Sequence, residues 1–380
     1  MAVTTYVSKA GDNGNSGLTP AAPKATIQAA LSLWESGGGN ICRVASGYYE
    51  ESALLPSYGG LISAQNTLEG DPTNAYGILG GYNGFVFVEA RWSGGTYVGG
   101  SPFNSGAEMS CLTIRRMVFS GSVGLNIQPG PSIISQNFVD ECVVMGTDRG
   151  LELWSGDNED YPHMITRTRA HCFVLSPQFY NAGIYCALYQ TDLGRPGVVI
   201  DRCALSGGAA YGAHSDWGTG KTRALITNST LVSTSTLVSG GFGPPLHGTG
   251  PAVSAYLENC LIATNFSGVY FSYNMSSYLD DACRVFMFNT GLPTTTLFML
   301  PLFHPLPSCP IFDVTPGVGN PDLLGRSTQG SAYDVGALEA PTGVPITHAM
   351  LLGDIYGTGA PGPSGGALLT HPGMSGGLRG

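Results

Sequence analysis

The chain has 380 residues, of which 56 are Gly and 25 are Pro, while only 11% are charged. That is an excess of turn formers and less than half of the ~25% charge of an average globular chain, which excludes a disordered chain or a coiled coil and leaves a turn-rich all-β or repeat fold. The formal net charge of −10 excludes nucleic acid as the main partner, because phosphate binding needs a basic face.

The chain opens on Met1-Ala2-Val3-Thr4-Thr5-Tyr6, with no basic region before an apolar run. It therefore reads as lacking a Sec signal peptide, and no apolar stretch is long enough to predict a membrane span. Asp12-Asn13-Gly14-Asn15-Ser16 is read as a polar turn. A calcium loop starting at Asp12 would need Glu where Pro23 stands. A helix is predicted over 26–36, with Ile27, Ala30, Leu31 and Trp34 on one face, Thr26 as N-cap and Gly37 as stop. Such a helix suits the cap that a solenoid needs over its open first coil. Asn40-Ile41-Cys42-Arg43-Val44 is then expected to start the sheet.

The nine cysteines form no C-x-x-C pair, and their odd number argues against a disulfide framework or a zinc site. Their spacing is informative. Asp140-Glu141-Cys142-Val143-Val144, Ala170-His171-Cys172-Phe173-Val174, Asp201-Arg202-Cys203-Ala204-Leu205 and Glu258-Asn259-Cys260-Leu261-Ile262 share one pattern. Thr227-Asn228-Ser229-Thr230-Leu231 fits it with Ser in the Cys place, and Cys111 reads as an earlier member. From 111 the steps are 31, 30, 31, 26 and 31, a structural repeat. A second column places a turn glycine before a short strand at Gly124, Gly150, Gly183, Gly212 and Gly268. Short strands at this period, with no helical stripe between them, predict a parallel β-helix of roughly ten coils, with Cys142, Cys172, Cys203 and Cys260 stacked inside as small hydrophobes.

After 340 the character changes. Residues 341–380 are Pro- and Gly-rich and cannot build a core, so they read as an extended arm. Its apolar patch, Met350, Leu351, Leu352, Ile355 and Tyr356, is the expected assembly anchor. The division predicted is 1–340 for the β-helix and 341–380 for the arm.

Gly17-Leu18-Thr19-Pro20, Thr26-Ile27-Gln28-Ala29-Ala30, Gly47-Tyr48-Tyr49-Glu50 and the closing Tyr333-Asp334-Val335-Gly336-Ala337-Leu338-Glu339 resemble right-handed parallel β-helix proteins of the pectate-lyase-like superfamily, over roughly residues 3–340. The resemblance implies an all-β, single right-handed solenoid. It is poor for function, since the superfamily holds polysaccharide lyases and hydrolases as well as phage tailspikes and other virion proteins. Asp280-Asp281 is similar to the double Asp of polygalacturonases, whose remaining motifs are met only in part by Leu246-His247-Gly248.

If Leu151 and Leu153 point inward, Glu152 points outward, and the glycine column aligns Asn126, Tyr185, His214 and Tyr270 with it. Aromatics and a carboxylate on one face suit a glycan groove. Glu152, Tyr185 and His214 are the catalytic candidates, and Asn126, Tyr185 and Tyr270 the glycan-binding ones. A glycosidase needs paired carboxylates, and this column holds one acid. The chain is therefore read as a non-enzymatic virion structural protein of a bacteriophage, a capsid decoration (cement) protein or spike. Its expected partners are its own copies in a trimer and the major capsid protein, with no metal or cofactor. The alternative is a polysaccharide lyase or glycoside hydrolase, or a glycan-binding spike, acting on extracellular or surface glycans.

Overall fold

The computed structural model describes residues 1–305 except 53, 94–95, 98–99, 104–110, 129–134, 158–160, 174–180, 190–194, 215–221, 234–245, 250–252, 265–270, 273–274, 280–283, 288–297 and 300–303. The closing segment, the arm with Met350, Leu351, Leu352, Ile355 and Tyr356, and also Tyr270, Asp280, Asp281, Cys283 and Cys309 lie outside the described residues.

The chain winds as a parallel β-helix. Among the described residues, sheet A stacks ten strands from Thr4–Val7 to Met275–Leu279, all paired in parallel, and sheet B contains thirteen. The period-two alternation decides which residues enter the core. Thr5, Cys42, Leu68, Ile114, Val139 and Ile165 lie opposite one another in successive strands of sheet A, and each is buried. Ile200, Ile226 and Leu257 continue the column. Burying each such aliphatic side chain contributes about 1.5–3 kcal/mol.

Sheet A begins one strand earlier than the sequence suggests. Thr4–Val7 precedes the helix and pairs with Ile41–Ala45. The helix itself is shorter than 26–36, running Ile27–Leu31. Thr26 caps it as expected, its Oγ1 accepting from the Ala29 amide at 3.3 Å, and Glu51 accepts from the Ile27 and Gln28 amides. It closes at Ser32, because the Leu33 and Trp34 amides turn back to the Ala30 and Leu31 carbonyls, three residues behind. Trp34 is still buried, and Gly37 supplies a positive φ of 101° in the following turn rather than the stop.

The corner between the sheets explains the cysteines and corrects their register. Arg116, Glu141, Arg167, Arg202, Asn228 and Asn259 all have left-handed backbone, with φ between 45° and 56°. The residue after each forms the inward column Met117, Cys142, Thr168, Cys203, Ser229 and Cys260. The backbone ladder passes through it, from Val143 N to Met117 O, Arg169 N to Cys142 O, Ala204 N to Thr168 O and Thr230 N to Cys203 O. Cys172 is not a member. It is buried four residues further on, opposite Gly146, and Thr168 holds the corner instead. Cys111 sits before the strand Leu112–Arg115, at the opposite end of sheet A from this corner. The near-constant step of 30–31 therefore mixed two corners, and loops of unequal length made the coincidence.

Side-chain chemistry at the corner is uniform. Each polar member donates to the carbonyl two residues back: Cys142 Sγ to Asp140 O at 3.3 Å, Thr168 Oγ1 to Thr166 O at 2.8 Å, Cys203 Sγ to Asp201 O at 3.3 Å, Ser229 Oγ to Thr227 O at 2.7 Å, and Cys260 Sγ to Glu258 O at 3.4 Å. A small side chain with one γ donor is what the corner requires, so Cys, Ser and Thr interchange there.

A second buried polar column lies where the chain enters sheet A. The Asn40 amide donates to Asn66 Oδ1 at 2.9 Å, the Leu112 amide to Asn137 Oδ1 at 2.9 Å, and the Asn137 amide to His163 Nδ1 at 3.1 Å. Burial pushes His163 down to about 3, so its ring is neutral and carries its proton on Nε2.

Candidate functional site

The outward face of sheet B is set by glycines that allow two strands to meet at a tight corner. A Cβ on Gly150 would lie 2.5 Å from the Gly183 carbonyl oxygen and 2.8 Å from the His171 amide. From this corner the next strands run outward in register, Asn126 beside Glu152 and Glu152 beside Tyr185. Those three expected neighbours are brought together. His214 is not one of them. Ile184 pairs with Tyr211, so Ala210 succeeds Gly183, Gly212 lies beside Tyr185, and His214 falls two residues along beside Ala187. Aligning Gly212 with the turn glycines causes the slip. The row from Glu152 continues through Gly212 to His247.

Glu152 is outward by register but 3% exposed. Its Oε1 is held by Arg149 and accepts from Trp154 Nε1 at 2.6 Å. The Arg149 guanidinium lies over the Tyr185 ring, 5.0 Å from its centroid, and the Trp154 and Tyr185 rings tilt together at 6.3 Å. Tyr185 is itself buried, in a small cluster with Ala182 and Ala209 against which Trp154 and Ala187 pack. Asn126 Oδ1 is buried and has no hydrogen-bond partner among the described residues. The arrangement is an ion pair roofed by two aromatic rings, with Trp154 the half-buried member.

Sequence reasoning missed Arg149 and Trp154. Trp154 shares the outward parity of Glu152, a signal the alternation offered. Arg149 lies across the irregular step between Gly146 and Arg149, where parity is lost. A second carboxylate cluster was also missed, on the outer face of sheet A. Glu69 is 1% exposed and is bonded by Tyr76, Arg115 and Arg116. Burial alone would raise its pKa, but the hydrogen bonds from Tyr76 and Arg115 and both guanidinium charges outweigh that and hold the carboxyl below its usual range. Arg43 lies over the Tyr76 ring at 3.8 Å.

Among the described residues no group of three or more His, Cys, Asp or Glu is arranged to hold a metal ion, and no helix is long and apolar enough to cross a membrane.

No protein-family model matches the sequence, and neither does any curated protein. Among solved structures, the pectate lyase Pel9A superposes with a TM-score of 0.49 at 13% identity, over 90% of this chain and 97% of its own. A pectin methylesterase from Aspergillus niger superposes with a TM-score of 0.44 at 14% identity, over 78% of this chain and 92% of its own. That this chain is a parallel β-helix rests on its own strand pairing.

Proposed function

We propose that this chain is a glycan-binding β-helix protein, which holds a saccharide against the outer face of sheet B beside Trp154 and does no acid–base chemistry through Glu152. The observation that carries this reading is the state of Glu152: buried, ion-paired with Arg149 and hydrogen-bonded by the indole N–H. A general acid or base must reach its substrate within hydrogen-bond distance, and this carboxylate is committed to its neighbours. The same contact satisfies the indole N–H and leaves the ring as an apolar surface on which sugar C–H groups can pack.

The test is a glycan array with the full chain and with Trp154→Ala. Binding to one glycan class is expected, weakened about tenfold or more in the variant, with no release of reducing or unsaturated ends. Depolymerisation that vanishes in Glu152→Gln would replace this reading with a lyase or hydrolase. Binding to no glycan would withdraw it.

A second reading is a virion structural protein that decorates a capsid or forms a spike. It is favoured by a ladder of half-buried outward apolar side chains, Phe138, Met164, Val199, Leu225 and Tyr256, across sheet A. Purified particles either contain the chain or lack it, which decides that reading.

A further inference from the structure

We infer that the outer face of sheet A is the contact surface for a second copy of this chain, in a two-fold dimer whose axis runs parallel to the strands between Phe138–Asp140 and His163–Thr166. The inference is independent of the glycan reading, which concerns sheet B.

The apolar ladder lies across the contact: the axis sets Phe138 on Met164 of the copy, and Val199, Leu225 and Tyr256 on Thr113, Thr67 and Ile41. Phe138, Met164, Val199, Leu225 and Tyr256 lie opposite one another in consecutive strands, point away from the core and are only half-buried. Five contiguous outward apolar side chains on a parallel sheet form a patch of the kind that marks an interaction site. Nine strand spacings of ~4.8 Å by four residues of ~3.3 Å give the whole face a plan area of roughly 600 Å². With side-chain relief this approaches the ~800 Å² per partner of a stable interface.

Charge selects the occupant and the axis. Two strand positions along from the ladder, a second outward row begins Tyr6, Arg43, Glu69, Arg115. It continues Asp140, Thr166, Asp201, Thr227, Glu258. Its positive members lie in the first half and its exposed acid, Glu258, at the far end. Turning one copy about an axis between Asp140 and Thr166 reverses the row against itself. Arg43 then faces Glu258; Arg115, paired in its own chain with Glu69, faces Asp201, paired with Arg202; and Asp140, paired with Arg167, faces Thr166. Glu69, already buried under its arginines, faces Thr227. No acid meets an acid and no arginine meets an arginine. An axis along the stack and through this row would instead set each strand against its own copy, Arg115 on Arg115 and Asp201 on Asp201, which like-charge repulsion disfavours. The antiparallel arrangement makes the row self-complementary, which is the property an isologous two-fold contact demands.

The experiment is sedimentation equilibrium on the full chain, with thermal melts to verify folding. The wild type is expected to be a dimer. Met164→Glu, beside the axis, is expected to be monomeric with a melting temperature within a few degrees of wild type, since the side chain points outward. Glu258→Arg, which sets two cations face to face, is expected to weaken the dimer about tenfold. It remains informative if Met164→Glu fails to fold, because Glu258 is exposed. A wild-type monomer or trimer at tens of micromolar, or a dimer indifferent to either substitution, would overturn the inference.

Discussion

The Cys203 amide donates to Ser229 Oγ at 3.0 Å, and the two side chains close the same corner in consecutive coils. Each also returns its own γ hydrogen to the carbonyl two residues back. The corner therefore asks for a γ donor of small volume and is indifferent to whether sulfur or oxygen carries it. Cys203→Ser should change stability by less than about 1 kcal/mol, whereas Cys203→Ala, which removes the γ donor and leaves a void, should cost about 1–3 kcal/mol. Chemical denaturation of both variants measures the difference.

Thiol chemistry gives a separate check on burial. The seven described cysteines, Cys142, Cys172, Cys203 and Cys260 among them, are buried thiols. Burial pushes Cys42, Cys142 and Cys186 up to about 12, so the thiolate that reacts is scarce. An aromatic disulfide reagent should leave these seven untouched in the native protein and label them only on unfolding. Rapid native labelling of Cys142 or Cys203, located by peptide mapping, would contradict the corner geometry.

Alternation marks the inward residues of sheet A only in part. Ile114 lies between the polar Thr113 and Arg115, whereas Val139, Ile165, Ile200 and Ile226 each follow an outward apolar residue, Phe138, Met164, Val199 and Leu225. The members of the corner were harder. Thr168 carries no Cys to mark it, Cys172 lies four residues away, and the intervening loops differ in length, so equal steps were a false guide. On sheet B the alignment of Asn126, Glu152 and Tyr185 was legible, but not the burial of Glu152 and Tyr185. His214 falls two residues along because Ala210, not Gly212, fills the turn-glycine place. What alternation cannot reveal is who neutralises whom across the surface, and the partners Arg149 and Trp154 emerged only from the geometry.

Acid should expose the buried histidines. His163 and His171 are pushed by burial from 6.5 down to about 3 and about 4. Below pH 6.5 the unfolded chain takes up protons that the folded one refuses. Stability is then complete above that pH and falls as pH drops toward 4, by ~1.4 kcal/mol per pH unit for each ring. His163→Asn should roughly halve that slope. Asn can accept from the Asn137 amide as Asn66 and Asn137 accept in the neighbouring coils. Thermal melts between pH 7.5 and pH 4.5 decide it, those limits being chosen to span roughly the titration window.

Left-handed backbone is stored at every turn of the corner. Asn tolerates it best among residues with a side chain, and Asn228 and Asn259 already occupy it, with the Asn259 amide group donating to Asn228 Oδ1 at 2.9 Å. Arg202 has φ 51° and bonds Asp201 through Nε. Arg202→Asn should be neutral or stabilising by up to about 1 kcal/mol, and Arg202→Val destabilising by about 1–2 kcal/mol. Urea midpoints of the two variants should move in opposite directions, or the first should stay still.

The recurring corner also makes the length of this molecule an adjustable quantity. Cys142 and Thr168 are 26 residues apart and hold the same place in adjacent coils. Removing 142–167 would join Glu141 directly to Thr168, left-handed residue to γ donor, and every later coil would find beneath it a surface of the kind it already rests on. A rod built in this way lengthens or shortens by whole coils, and whatever it spaces apart is set by a count of turns.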